Sequence, residues 1–361
     1  MSELQELGRG QARAQPGRRM SQTFPPAVLL GSTLLVAAVS SLATALALGY
    51  ARRMALLDQP GARRSHAVPT PRGGGVGIVV ALMCGLAGLW FMAPEERGLW
   101  LGFGAGLLAV AGIGWLDDHR PLPILPRLAV HALAGLGLAT GFSGWPGTPE
   151  DWAGMLATVI GVMTLVNIWN FMDGIDGLAA SQAALVAIAL MAIGGAGIDA
   201  RAILALYLFA AAAAFLPFNF PRARIFLGDV GSGALGFAVA ALMLVSITRG
   251  AMDWFYAPVL VSAFLIDAGL TLAKRILQGK RWWRPHREHL YQWAVRRGFG
   301  HPPVTIAYAC WTAAAATVCL AGPSLFPDGA VAPACAFLAV GVAAWCGGRC
   351  RLLRMARESR A

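Results

Sequence analysis

Apolar runs, each about the length needed to cross a bilayer, recur along nearly the whole chain. They fall near 26–50, 74–93, 99–116, 128–144, 153–169, 178–197, 201–218, 231–248, 256–273, 303–323 and 331–347. With 57% hydrophobic and only 13% charged residues, the chain lies far from a soluble domain, which carries about a quarter charged. The expected fold is an all-α polytopic integral membrane protein of about eleven (ten to eleven) transmembrane helices. Many runs are short and rich in Gly and Ala, which suits close helix packing in lipid. The expected organisation is a polar tail over 1–25, one transmembrane domain over 26–347 and a basic tail over 348–361. The longest polar insert, 274–302, is too short to bury a core of its own.

Charge sets the orientation. The loops 51–72, 117–128, 219–230 and 274–302 and the tail 349–361 hold 22 of the 29 Lys and Arg. The opposite connections hold only Arg97, Arg201 and Arg249, and carry acidic residues such as Glu95, Glu96, Glu150, Asp151, Asp199, Asp253 and Asp328. The basic side is expected to be cytoplasmic, and the net charge of +11 reads as topology rather than nucleic-acid binding. An odd number of spans with a cytoplasmic tail places the N-terminus outside, yet Arg9, Arg13, Arg18 and Arg19 precede the first run. Met20 is an alternative start that would remove them; intact-mass analysis of natively expressed protein tests this. Six cysteines show no Cys-x-x-Cys pair and are read as small buried hydrophobes, with neither disulfide nor metal expected.

The dense polar islands all fall on the basic side. NIWNFMDGIDGLAASQ, Asn167–Gln182, places Asn167, Asn170, Asp173 and Asp176 at a membrane edge, where carboxylates are costly. Asp173-Gly-Ile-Asp176-Gly resembles a calcium loop but lacks its later acidic ligands, and a helix cap needs one Asp only. SHAVPTPRGGG, Ser65–Gly75, has prolines that keep it extended, glycines that permit close backbone approach, and Arg72, which suits a phosphate. It also reads as a helix-entry turn. GWLDDHRPLPILPRL, Gly114–Leu128, ends a run in Asp117 and Asp118, which repel each other unless a cation or proton intervenes. Mg²⁺ takes one or two carboxylates and bridges to phosphates; capping accounts for one of the pair.

NFPRARIFLGDVGSG, Asn219–Gly233, offers an amide, two arginines and Asp229 before a helix whose N-terminus favours an anion. KRWWRPHREHLYQWAVRRG, Lys280–Gly298, combines His286, Arg287 and His289 with aromatics suited to the headgroup zone. Part of it reads as an interfacial amphipathic helix. Zinc is disfavoured, since no further Cys or His accompanies the pair. Asp267 lies inside a run and is a functional candidate, or a structural partner of an arginine. Carboxylates for a divalent cation, arginines and histidines for phosphates, and glycines for close approach together fit phosphoryl transfer between a soluble nucleotide and a lipid.

PTPRGGG, the Asp117-Asp118 pair, NIWNFMDGIDGLA, FLGDVGSG and HREH, in this order, resemble the motifs of glycosyltransferase family 4, the polyprenyl-phosphate N-acetylhexosamine-1-phosphate transferases. The resemblance runs from about Pro26 to Gly298. It implies transfer of a sugar 1-phosphate from a UDP-N-acetyl sugar to undecaprenyl phosphate with release of UMP, dependent on Mg²⁺ or alternatively Mn²⁺. It also implies a bacterial inner membrane with the lipid bilayer as partner and no nucleic-acid partner, and it allows a homodimer. Asp229 matches the metal-binding aspartate, with Asp173 beside it as metal support. Asp117 and Asp118 match the pair assigned to deprotonation, attack or metal support. Asn170, Asp173 and Asp176 match the nucleotide and metal region, and Asn219 an asparagine near the nucleotide. Arg72, His286, Arg287 and His289 face the diphosphate and sugar, with His289 among the catalytic candidates.

Two features depart from the family pattern: Arg222 stands where a proline is usual, and HREHLYQ has Tyr291 and Gln292 in place of two histidines. SHAVPTPRGGG and HREHLYQ resemble the subgroup using UDP-N-acetylfucosamine or UDP-N-acetylquinovosamine for O-antigen-like glycans. UDP-GlcNAc and UDP-MurNAc-pentapeptide are the alternatives. A membrane transporter, whose polar groups should lie deep in broken helices, and an assembly scaffold are the rivals from other classes.

Overall fold

The structure, a computed structural model, describes residues 24–59, 68–193, 198–281, 286–327, 329 and 331–358. The arginine-rich N-terminal stretch, the middle of the 51–72 loop, Trp282, Trp283 and Asp328 lie outside the described residues. The helices, in order, are α1 (Pro26–Arg53), α2 (Val76–Met92), α3 (Arg97–His119), α4 (Ile124–Ser143), α5 (Pro149–Met172), α6 (Leu178–Ala192), α7 (Ala200–Asn219), α8 (Gly228–Thr248), α9 (Ala257–Leu260), α10 (Ser262–Leu277), α11 (Leu290–Arg296), α12 (His301–Leu325) and α13 (Val331–Glu358). The one departure from an all-helical chain among the described residues is a two-residue antiparallel ladder, Leu57–Asp58 against Thr70–Pro71. It is the extended stretch that the prolines of PTPRGGG anticipate.

Eight helices are long and apolar enough to cross a membrane, or nine if α9 and α10, bent by 81°, form one broken span. The helices α2 and α6 are apolar but shorter. The chain is a polytopic α-helical membrane protein, and by length alone two of the expected eleven runs fall short of a full crossing. Both short helices pack inside the bundle, α2 on α1 and α7, and α6 on α7 and α12.

The helix α8 is the axis. Its most apolar window is 89% buried, against 17% for α13. Small residues make this possible. A Cβ on Gly231 would stand 2.6 Å from Gly75 Cα, so α2 and α8 touch backbone to backbone. Outward-facing leucines such as Leu30, Leu34, Leu42 and Leu46 on α1 are more than half exposed, a large apolar surface that lipid rather than water would cover. Of the cysteines, only Cys319 is buried; Cys310, Cys335 and Cys346 lie exposed on α12 and α13, which corrects the expectation that they fill the core. All six are free.

Charges on the acidic side find partners. Arg249 pairs with Glu96 at 2.7 Å. Arg201, 2% exposed, donates to the carbonyls of Leu190 and Ile193, at the end of α6, and lies 3.5 Å from Asp199. A guanidinium there satisfies carbonyls that a helix end leaves open.

Candidate active site

The C-terminal ends of α3, α5 and α7 meet the N-terminal end of α8 around a cleft of about 1070 Å³. Arg72, Asp118, Asn170, Asp173, Asp176, Asn219, Asp229, His286 and His289 all line it. Residues from five islands separated by up to more than two hundred positions are therefore brought to one site. Asp117 and Arg287 are not among the lining residues.

The Asp117-Asp118 pair is split between two jobs. Asp118 turns inward. Its Oδ1 accepts from the backbone N–H of Asp229 at 3.1 Å and its Oδ2 from that of Val230 at 3.2 Å, while Arg72 lies 3.9 Å from Oδ1. Those amides are in the first turn of α8, where a carboxylate satisfies open donors and the helix dipole together. The anion at this N-terminus is thus the protein's own, where the sequence suggested a seat for a ligand phosphate. Asp117 accepts from Leu122 N–H and from Arg127 Nη1, both at 2.6 Å. The repulsion expected of adjacent aspartates is relieved by a helix end on one side and a guanidinium on the other.

Asp229 is the accessible carboxylate, 32% exposed against 3% for Asp118. Asn170 Nδ2 donates to its Oδ1 at 2.9 Å and to Ser232 Oγ at 3.2 Å; Arg127 Nη2 lies 3.2 Å from its Oδ2. Gly228, at φ +76°, lets the chain turn into α8 here, and a Cβ on it would meet Asp118 Oδ2 at 2.5 Å. The glycines of PTPRGGG serve the same seam: Gly74 and Gly75 N–H donate to Phe226 and Leu227 carbonyls, both at 2.9 Å. The motif is a helix entry locked to the FLGD turn, with Arg72 as its contribution to the cleft.

Asp173 caps α5. Burial, then the negative charges of Asp229, Asp118, Asp176 and Asp58, push its carboxyl well above the usual 3.8. Such mutual crowding is relieved by a cation. Among the described residues no three His, Cys, Asp or Glu side chains gather closely enough to hold a metal on their own. Asp229 and Asp173, two carboxylates in one cleft, fit Mg²⁺, which takes one or two carboxylates and completes its shell with water and substrate phosphate.

Asp176 and Asn219 are tied into the backbone. Asp176 Oδ2 accepts from Ala223 N–H at 3.2 Å and lies 3.2 Å from His301 Nδ1. Asn219 accepts from Gly177 N–H at 2.8 Å and donates to the Ile225 carbonyl at 2.9 Å. By the end of α5, the His289 ring stacks near Tyr291 and Phe171, and His286 stands 4.9 Å from it, ring to ring. Burial, together with the neighbouring His289 ring and the Arg275 guanidinium, holds the His286 imidazole down at about 4, so it is neutral at pH 7. Burial lowers the His289 imidazole, and the Asp267 carboxylate opposes that shift. Tyr291 hydrogen-bonds the Phe171 carbonyl at 3.0 Å, and Gln292 donates to its hydroxyl at 3.1 Å, so the two residues that replace histidines form the cleft's wall.

The family model of glycosyl transferase family 4 matches residues 100–247. The chain is 29% identical over 323 residues to a decaprenyl-phosphate N-acetylglucosaminephosphotransferase of Mycobacterium tuberculosis, covering 77% of this chain and 78% of that protein. It is 28% identical over 288 residues to a probable undecaprenyl-phosphate N-acetylglucosaminyl 1-phosphate transferase of Bacillus subtilis, covering 74% and 79%. It is 28% identical over 283 residues to an undecaprenyl-phosphate alpha-N-acetylglucosaminyl 1-phosphate transferase of Escherichia coli, covering 71% and 74%. The chain is thus similar to glycosyl transferase family 4 over residues 100–247, and to these transferases over about three quarters of its length. The family match spans α3 to α8 and so contains Asp118, Asn170, Asp173 and Asp229, while the histidine wall lies beyond it.

Three lining residues escaped the sequence reading: Asp58, Arg127 and His301. Arg127 carried a usable signal. It sits in the first turn of α4, where a positive charge opposes the helix dipole and so calls for an acidic partner. His301 opens α12 beside two prolines, with nothing local to link it to Asp176 across 125 positions.

Proposed function

We propose that the protein transfers a sugar 1-phosphate from a UDP-N-acetyl sugar to undecaprenyl phosphate, releasing UMP and forming a lipid-diphosphate-linked sugar. The observation that carries this reading is the mixed lining of one cleft. Asp229, Asp173, Asn170, Arg72 and Arg127 are among its polar residues, and Leu122, Ile124, Leu128, Leu265 and Leu272 among its apolar ones. A nucleotide diphosphate suits the first and a polyprenyl chain the second. Relatives named for this chemistry act on decaprenyl or undecaprenyl phosphate. The rival transporter rested on deep polar groups, and Asp267, the deep carboxylate, is enclosed in hydrogen bonds.

Asp229, with Asp173 beside it, would hold Mg²⁺, which supplies charge neutralisation on the diphosphate. Asn170 fixes the Asp229 carboxylate at 2.9 Å. Arg72 and Arg127 provide guanidinium charge toward the phosphates, and His289 and His286 face the diphosphate from the opposite wall. An oxygen of the lipid phosphate attacks the sugar-linked phosphorus, and the bond from that phosphorus to the bridging oxygen breaks as UMP departs. A phosphate monoester is mostly ionised at pH 7, so no strong base is required. The engagement of both Asp118 oxygens by α8, and of Asp117 by Arg127, supports direct attack over an aspartyl intermediate. Asp118, Asp176 and Asn219 then serve by holding the site's backbone. The excess of Lys and Arg in the loops on this side supports a cytoplasmic cleft in a bacterial inner membrane.

For the sugar, Tyr291 and Gln292 in place of histidines support a UDP-N-acetylquinovosamine or N-acetylfucosamine donor serving an O-antigen-like glycan. The test is UMP release by purified protein with undecaprenyl phosphate, Mg²⁺ and a donor panel that includes UDP-GlcNAc. Release with one of the 6-deoxy donors, faster than with UDP-GlcNAc, is the expected result. Release fastest with UDP-GlcNAc overturns the sugar assignment, and no release with any donor overturns the reaction.

A further inference from the structure

Asp267 is 1% exposed and belongs to α10, away from the cleft lining. Where the sequence suggested an arginine partner, it accepts five hydrogen bonds instead. Leu290 N–H, Trp345 Nε1 and Thr271 Oγ1 donate to Oδ1 at 2.7, 3.0 and 3.3 Å, and Tyr308 Oη and Tyr291 N–H donate to Oδ2 at 2.7 and 3.3 Å. Four helices, α10 to α13, meet on this carboxylate.

An N-terminal cap alone would be a local matter. Yet α11 has only seven residues, too few to hold its own shape or place by helix formation. What the anchor fixes is position. The two amides it takes are those directly following His289, whose own N–H donates to Gln292 Oε1 at 3.3 Å. His289 Nδ1 stands 3.9 Å from Asp267 Oδ1, while the same residue lines the cleft. With Nδ1 toward Asp267, Nε2 lies on the opposite edge of the ring.

We propose that Asp267 is the positioning residue for His289, fixing the start of α11 and the imidazole so that Nε2 is presented to the diphosphate of the bound donor. The inference rests on the transferase reading for its chemistry. It also gives the peripheral helices α12 and α13 a catalytic consequence, since Tyr308 and Trp345 hold the carboxylate that holds the histidine.

A mutant cycle on the full-length protein tests it. Asp267→Asn is expected to lower kcat for UMP release by about 100-fold, the low end of what a positioned acid or base contributes, with KM for the donor changed less than about threefold. In the His289→Ala background the same change should cost less than about threefold, because residues that act as one unit are not additive. A loss in that background of about tenfold or more overturns the proposal. Amide hydrogen exchange reads the anchor without turnover. Leu290, Tyr291 and Gln292 should exchange about tenfold faster in Asp267→Asn while α3 and α8 are unchanged; a uniform rise across the bundle overturns it. If the wild-type protein releases no UMP with any donor, the transferase reading has failed, and the exchange measurement still decides the anchor.

Discussion

The carboxylate wall and the histidine wall of the cleft are held by different means. At the entries of α2 and α8 the support is largely backbone. Asp118 binds two amides of α8, Gly74 and Gly75 bind the Phe226 and Leu227 carbonyls, and Gly231 touches Gly75. Little of that depends on a side chain's rotamer. On the histidine side, 286–292 precedes and opens a seven-residue helix, and side chains hold it: Asp267 takes the Leu290 and Tyr291 amides, Arg275 pairs with Glu288, Arg349 donates to the Glu288 carbonyl, and Tyr291 donates to the Phe171 carbonyl. Close-packed elements deep in a bundle open last, and short elements held by side chains open sooner. The contrast suits a site with one fixed half, for cation and diphosphate, and one half able to yield as the donor enters.

Four outcomes would break or sharpen that contrast. The largest effect is expected from Asp229→Asn, which keeps the Asn170 contact region but loses the charge that would hold the cation. UMP release should fall by about a thousandfold, roughly 4 kcal/mol of barrier, with the protein still folded by size-exclusion and circular dichroism. Activity within tenfold of wild type would remove Asp229 from the fixed half. Next, Gly231→Ala puts a Cβ 2.6 Å from the Gly75 backbone, where no side chain can move aside. Overpacking of that kind costs about 1–3 kcal/mol, read as a lower unfolding midpoint in detergent; an unchanged midpoint would show the seam to be loose.

The third concerns pH. Because the folded state raises the Asp173 carboxyl above 3.8, it binds more protons than the unfolded state across the interval between the two values. Stability without a divalent cation should therefore fall as pH rises through that interval, and Asp173→Asn should flatten the slope. Added Mg²⁺ should restore stability most above the interval, where the carboxylate is ionised. A metal-free midpoint that rises with pH in wild type relative to Asp173→Asn would contradict the crowding. The smallest effect is expected from Trp345→Phe, which removes one of five donors to Asp267 and should cost about 1 kcal/mol, with kcat lowered severalfold at most.

Much of this was legible in the sequence, and the parts that were not share a cause. The apolar runs announced the helices, because lipid leaves backbone groups no partner outside a helix or barrel. The five islands announced the cleft, because carboxylates and arginines at membrane edges are costly to keep. Counting spans was less direct, since α2 and α6 are as apolar as the rest but shorter, and run length cannot separate a crossing helix from one packed within the bundle. The division of labour between Asp117 and Asp118 was hidden for another reason. Adjacent residues on a helix point about 100° apart, so one of a pair can serve as a tertiary cap while its neighbour meets a guanidinium ten positions on. Asp267 was visible as an anomaly, but four of its five donors come from 23, 24, 41 and 78 positions away, and nothing local names those four.

The α3–α8 seam also decides where the chain tolerates extra length. One residue added between Gly114 and Asp118, or between Gly228 and Gly231, would rotate every later contact by about 100° and carry it 1.5 Å along, and a joint made of main chain has nothing to repack around the error. The turn at Gly144–Gly147 is the opposite case. Trp145 is 72% exposed, and Gly144 and Gly147 have open space where a Cβ would go. Inserted peptide there closes a longer loop at a cost that grows only slowly with length. An epitope spliced after Trp145 should thus be carried without loss of the fold, and antibody access to it in intact versus opened cells would report on which side of the membrane the end of the bundle away from the cleft resides.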